Sequence, residues 1–239
     1  VGNWNEVVAL VREERPRFLD DEVLVEQFVD GTEHTVEVLM WPGGKALLSI
    51  SDKENYPGSA TVVQNLYFPG PRGHARRAEI EPLVFTACDA LGLRVGAAHF
   101  EVLATPAGVV LLEVGSRPGG GPNLHPICAL STGRDYPAMY AQVMTGQTPD
   151  LAAAPAVHLA WHYFPVGRGI VEAIEGLEAV RAHPQVVDCK VYERIGAPSL
   201  DIHDDLARPG YVMVRAESHT AARALAARLV DSIRIVRRA

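Results

Sequence analysis

The stretch HFEVLATPAGVVLLEVGSRPGGG, residues 99–121, constrains the fold of this chain more than any other segment. Two apolar runs meet at Pro106-Ala107-Gly108, which reads as a tight antiparallel hairpin. A three-residue hairpin loop is commonly a type I turn followed by one left-handed residue. Proline suits the first turn position because its φ is already fixed, and glycine suits the last because it has no Cβ. That loop pairs Thr105 with Val109. Counting outwards then sets Leu103 against Leu111, Glu101 against Glu113, His99 against Gly115 and Ala97 against Arg117. Directly opposed side chains share one face of a sheet, with Cβ atoms about 5 Å apart. Phe100, Val102, Val110, Leu112 and Val114 take the other face and are expected in the core.

Two opposed carboxylates repel, and one of them must take up a proton unless a cation intervenes. A divalent cation such as Mg²⁺ resolves the conflict. It binds through one or two carboxylates and completes its shell with water and phosphate oxygens. Arg117 adds a fixed cation on the same side, and the bare glycines after it let a ligand approach the backbone closely. The alternative is a solvated hairpin face with two unrelated glutamates. Three consecutive glycines argue against that alternative, because a plain turn does not need them. The whole reading hangs on register, since a slip of one residue sends the two glutamates to opposite faces.

The remainder of the 239 residues reads as α+β. VGNWNEVVALVREERP opens as a helix with Val7, Val8, Leu10 and Val11 apolar. Runs 21–29 and 32–40 flank Asp30-Gly31, a type I′ hairpin signal. WPGG (41–44) is a second turn, and 45–51 a third strand. Residues 52–78 read as one long polar loop. A helix over 78–93 stops at Gly92, with strands following at 95–104 and 109–116. A helix spans 133–146, and 147–156 reads as a linker. Strand, strand, short helix, strand, strand, helix and strand then alternate to the end, with Thr220 expected to cap the last helix. The expected partition is 1–147, a linker at 148–156, and a small domain at 157–239.

Composition excludes several classes. A net charge of −7 gives no basic surface for nucleic acid or for an acidic membrane. No apolar run reaches the length of a spanning helix. Cys88, Cys128 and Cys189 are too dispersed for a zinc set or a disulfide framework. They are expected to be reduced and buried in a cytoplasmic protein.

Residues 99–121 resemble the metal-binding hairpin of the ATP-grasp ligases. In that family two acidic residues about a dozen positions apart hold one or two Mg²⁺ ions on the ATP phosphates. An arginine four residues after the second acid contacts the transferred phosphoryl group. The resemblance implies Glu101 and Glu113 as metal ligands, with Mn²⁺ as a substitute for Mg²⁺, and Arg117 as the catalytic cation. It places Gly119 and Gly120 at the acceptor site. VEQFVDGTEHTVEVL is similar to the family's adenine strand. This implies Glu26, Gln27, Phe28 and Val29 at the adenine, and Glu33 at the ribose. Leu112 joins the nucleotide contacts. Lys53, in SDKENYPG, is either near substrate or solvated. The implied architecture is an ATP-grasp large lobe, an antiparallel sheet with helices on one side, followed by a small C-terminal α+β domain.

Two departures qualify the resemblance. Where the family usually has an asparagine ligand, two residues after the second acid, this chain has Gly115. His99 faces that gap, and either fills it or partners a nearby carboxylate. The family's phosphate-clamping lysines precede the adenine strand, yet residues 1–25 contain no lysine. The small lobe and an N-terminal substrate domain are therefore expected to be missing. The resemblance implies an ATP-dependent carboxylate–amine ligase that uses an acyl phosphate and amino-acid or peptide-like substrates. Its partners are a small-molecule carboxylate and amine, and a homodimer or a second polypeptide supplying the lobe. A non-catalytic nucleotide-binding module and a bicarbonate-using carboxylase remain the other readings.

Overall fold

The computed structural model describes residues 3–14, 22–120, 127–152, 156–199, 201–202 and 205–238. The chain divides into two units, Val1–Asp30 and Gly31–Ala239. In the first, α1 (Trp4–Glu14) opens on a reciprocal cap. Asn3 Oδ1 accepts from the Glu6 N–H at 3.1 Å, and Asn3 Nδ2 donates to the Glu6 carboxylate at 2.6 Å. Residues 22–30 have no regular structure, and Phe28 is 77 % exposed. The strand expected over 21–29 and its Asp30-Gly31 hairpin are not formed. A type I′ turn needs positive φ at both central residues. Among the described residues no non-glycine has positive φ, and Gly31 is not one of the positive-φ glycines.

In the second unit, β1 (Thr32–Trp41) instead pairs on both sides. One neighbour is β2 (Gly44–Ile50), reached through Pro42-Gly43 with φ +97° at Gly43. The other is β5 (Gly96–Thr105), which hairpins to β6 (Gly108–Gly115). The resulting sheet is antiparallel, in the order β2-β1-β5-β6. One face carries Val36, Val38, Met40, Phe100 and Val102. It packs on Ile80, Val84 and Cys88 of α3 (Arg77–Ala90), spaced to share one helix stripe. Gly92 ends this helix as expected: with φ +70°, it lets Leu93 N–H return to the Cys88 carbonyl at 2.9 Å. On the opposite face, Leu39 and Ala97 meet α4 (Ile127–Thr132) and α5 (Tyr136–Met144).

Residues 52–78 are not a loop. They form β3 (Asp52–Asn55), β4 (Val63–Phe68), α2 (Pro71–Ala75) and the start of α3. β3 and β4 belong to a second antiparallel sheet, ordered β3-β4-β7-β10-β9. Its other strands are β7 (His158–Tyr163), β9 (Val186–Val191) and β10 (Gly210–Ala216). On one face lies α7 (His219–Asp231), which inserts Ala222, Leu225, Ala226 and Leu229. Ser218, not Thr220, caps α7, its Oγ accepting from Ala221 N–H at 3.2 Å. The other face is aromatic, with Trp161, Tyr163 and Tyr211 in mutual contact. β8 (Ile170–Glu175) pairs with β11 (Arg234–Arg238), and α6 (Leu177–Arg181) connects β8 to β9. Cys88, Cys128 and Cys189 are all buried and unpaired. Among the described residues no helix is long and apolar enough to cross a membrane.

Candidate functional site

Alternation along β1 puts Glu33, Thr35 and Glu37 on one face of the first sheet. β5 presents His99 and Glu101 to the same side, paired with Glu37 and Thr35 respectively. β6 adds Glu113 opposite Glu101, and Gly115 opposite His99. The expected opposition of the two glutamates is therefore present, but by another route. The turn holds two residues, with Thr105 paired to Gly108, which alone would shift the register by one. A β-bulge at the Glu101/Val102 step absorbs the shift, leaving Leu112 as the extra residue. The bulge also reverses the alternation nearer the turn. Val109, Leu111 and Val114 pack on the core, whereas Val110 and Leu112, expected there, are exposed, Leu112 by 46 %.

Lys53 closes the row. Ser51 is tied to β1, its Oγ lying 2.6 Å from Thr35 Oγ1 and its N–H donating to the Thr35 carbonyl at 2.9 Å. β3 therefore begins beside β1 and delivers Lys53 between two acids. Its ammonium contacts Glu33 and donates to Glu101 at 2.7 Å. The lysine side chain is 9 % exposed, so it is no solvated surface lysine. Burial pulls the Lys53 ammonium downward, but the two carboxylates outweigh it and hold the pKa above the usual lysine range. Burial also pushes Glu101 up, yet Lys53 brings it below the ordinary carboxylate value. Glu33 stays raised, because its burial exceeds the pull of Lys53. Glu113 is exposed and has no ion pair or hydrogen bond among the described residues.

The residue that sequence reasoning missed is Glu37. It is 3 % exposed. One oxygen accepts from His99 Nδ1 at 2.5 Å, the other from the Gly119 N–H at 3.2 Å. His99 thus partners a carboxylate, one of its two expected roles. Gly119 is buried and held through its backbone, while Gly120 is exposed. A glutamate between Val36 and Val38, two strand repeats from Glu33, was the available signal. Arg117 lies beyond the end of β6, so it has no pairing with Ala97. It is exposed, and donates through Nη1 to the Pro118 carbonyl at 2.9 Å. Its chain lies over Gly115: a Cβ added there would sit 3.4 Å from Arg117 Cγ and 3.5 Å from Cζ. Glu26, Gln27, Phe28 and Val29 lie in the Val1–Asp30 unit, Val29 half-buried and the other three exposed. Among the described residues no group of three or more His, Cys, Asp or Glu side chains forms a metal cluster.

Comparison with known proteins bears on the family and the fold. Residues 3–124 match an ATP-grasp domain model, and residues 162–238 match the L-amino acid ligase C-terminal domain 2. The structure is similar to that of an L-amino acid ligase from Bacillus licheniformis, with a TM-score of 0.84 and 26 % identity. That likeness covers 100 % of this chain and 61 % of the other. The protein y4rH of Sinorhizobium fredii is 30 % identical over 213 residues, 89 % of this chain and 44 % of that one. A D-alanine–D-alanine ligase of Albidiferax ferrireducens is 34 % identical over 146 residues, 56 % of this chain and 42 % of that one. The chain thus spans less than half the length of these two curated relatives. The ATP-grasp match alone takes in just over half of the 239 residues, and with the opposed carboxylates of its hairpin in place, this chain belongs to the ATP-grasp family.

Proposed function

We propose that the chain carries the large lobe and C-terminal domain of an ATP-dependent carboxylate–amine ligase working through an acyl phosphate on amino-acid or peptide-like substrates. The partition is 1–147, a linker at 148–156, and 157–239. The observation that carries the reading is the direct opposition of Glu101 and Glu113 beside Glu33 and Lys53. Two facing carboxylates, one of them without a partner among the described residues, suit Mg²⁺ or Mn²⁺, which complete their shells with water and phosphate oxygens. When bound, the metal neutralises phosphate charge. The chain's own side chains do the positioning. Glu33 accepts from the ribose hydroxyls once Lys53 lets go of it, and the freed ammonium then meets a phosphate. Arg117, exposed and, among the described residues, hydrogen-bonded to its own neighbour Pro118, reaches the transferring phosphoryl group, whose charge such donors stabilise. Glu26 to Val29 and Leu112 line the nucleotide, and Gly119, Gly120 and His99 border the acceptor. The similarity to an L-amino acid ligase supports amino acids as the carboxylate and amine. The proposed setting is cytoplasmic, with a homodimer or a second polypeptide as partner.

One observation favours a second reading, a nucleotide-binding module that does not catalyse alone. Gly115 offers no side chain where a further metal ligand is usual, and Arg117 occupies the space above it. Calorimetry with Mg·ATP separates the readings. Wild type binds, and Glu113→Ala loses about tenfold or more in affinity, as expected for a lost charged ligand. ADP release with an amino-acid pair supports the ligase; nucleotide binding without turnover supports the module. No binding by wild type sinks both.

A further inference from the structure

We infer that the outer edge of β2 carries a second oxyanion site, built for a phosphate group and separate from the acid row. A cavity of about 220 Å³ lies there, lined by Ser49, His74, Arg77, Ser131, Thr132 and Arg134, with Leu47, Leu48 and Pro69 completing its wall. No carboxylate is among these residues. β2 is the edge strand of its sheet, so the cavity is bounded by the α2–α3 junction on one side and by the end of α4 on the other.

Two features mark it as a binding site rather than a gap. First, Ser49 Oγ and Ser131 Oγ are buried without any hydrogen-bond partner, the side chains' residues being 3 % and 7 % exposed. Native proteins rarely leave buried hydroxyls unmet, and both line the same cavity. Second, two guanidinium groups converge on it with donors to spare. Arg77 uses Nε on Glu81 and Arg134 uses Nε on the Ala152 carbonyl, leaving both sets of Nη groups without partners among the described residues. His74 donates its Nδ1–H to the Gly70 carbonyl at 3.1 Å, so Nε2 of the neutral ring is an acceptor that meets the anion through the anion's own proton. Burial holds the His74 imidazole below its usual pKa and Arg77 adds to that, while the Gly70 hydrogen bond and Asp52 pull the other way. Ser49 stands opposite Glu37 in the sheet, but that carboxylate is turned to His99 and Gly119.

The donor set selects the ligand. Two guanidinium forks and two hydroxyls supply the donors, from β2, α3, α4 and the turn that follows α4. This suits the three or four acceptor oxygens of a tetrahedral anion better than the two of a carboxylate. A liquid-water share is about 30 Å³, so the volume admits one such anion with residual waters. The same chemistry fits free phosphate or a phosphomonoester.

The test is a titration of the whole chain with inorganic phosphate, glycerol phosphate and acetate, read by calorimetry and by the His74 imidazole signals in NMR. Wild type should bind one phosphate saturably and shift the His74 resonances. Arg134→Met and Ser49→Ala should each weaken binding, the arginine variant by about tenfold or more. Tighter binding of glycerol phosphate than of phosphate identifies an esterified ligand, and the reverse a free anion; either supports the site. Absence of saturable binding by wild type up to the order of 10 mM overturns it. So does phosphate binding that survives Arg134→Met but is lost in Arg117→Met, which would put the anion at the acid row. Ser49→Ala removes one small hydroxyl, so it keeps the test valid should an arginine variant unfold.

Discussion

Glu37 shows how a single carboxylate can organise a site without touching its chemistry. Buried under α4 and α5, it satisfies both oxygens locally, one through His99 and one through the Gly119 backbone. Glu37→Ala leaves two donors unmet in a dry place. It should cost about 1–3 kcal/mol of stability, measured as a lower urea midpoint with an unchanged slope. Hydrogen exchange at Gly119 should speed up in the same variant. Asp52 plays a comparable role at the start of α2. Its carboxylate accepts from the Arg72 and Gly73 N–H groups at 3.0 and 2.8 Å, and lies 3.1 Å from His34. Burial alone would raise its pKa, but the His34 contact and these two donors hold it down to about 2. A depressed carboxylate stabilises the fold above its unfolded pKa of about 3.9 and loses that contribution as pH falls through its folded value. The contribution, about 2 kcal/mol by that linkage, should disappear between about pH 4 and pH 2. Asp52→Asn should flatten the stability–pH curve across that interval in a pH series of denaturant melts.

At the scale of elements, the β5–β6 hairpin is the instructive case. The turn has two residues where three were expected, and the bulge at Leu112 compensates. The glutamates meet because two departures from a simple ladder cancel. A proline-led turn was visible in the sequence. The bulge was not, because Val109 to Leu112 are all apolar and carry no alternation to mark an extra residue. The cap of α7 is a smaller version of the same problem. Ser218 and Thr220 are both good caps by type, and only the backbone at Ser218, φ −145° and ψ 157°, decides between them. Ser218→Ala should cost about 1 kcal/mol, whereas Thr220→Ala should be near neutral. Thermal unfolding of the two variants checks this, and equal losses would contradict the assignment.

At the scale of the molecule, the second sheet ties distant parts of the chain together. Residues 52–68 supply two strands, and 158–216 supply three. Tyr56, Val63, Leu66 and Phe68 share one apolar cluster with Leu159, Trp161, Tyr211 and Met213. A chain ended after Asp150 would leave β4 without its β7 partner and expose that cluster. It should show no cooperative thermal transition by circular dichroism, while the full chain does; a sharp transition in the shortened chain would argue that the first sheet folds alone. The matched models fall on either side of residues 125–161, yet strands from both sides complete one sheet.

By itself the sequence determined the helix stripe of α3 with its Gly92 stop, and the later alternation of strands and helices. Those features repeat at 2.0 or 3.6 residues or end at glycine, so local chemistry is enough to reveal them. Only tertiary structure decided where DKEN and VQNLYF belong. A polar four-residue segment becomes a strand when β4 pairs with it, and β4 in turn needs β7, about a hundred residues on. It also decided that 22–29 is not a strand beside β1, whose two edges are taken by β2 and β5. Strand pairing satisfies backbone groups with partners that can lie anywhere in the chain. The identity of those partners is therefore absent from any local window. For the same reason Lys53, read as either near substrate or solvated in a loop, lies clasped between Glu33 and Glu101.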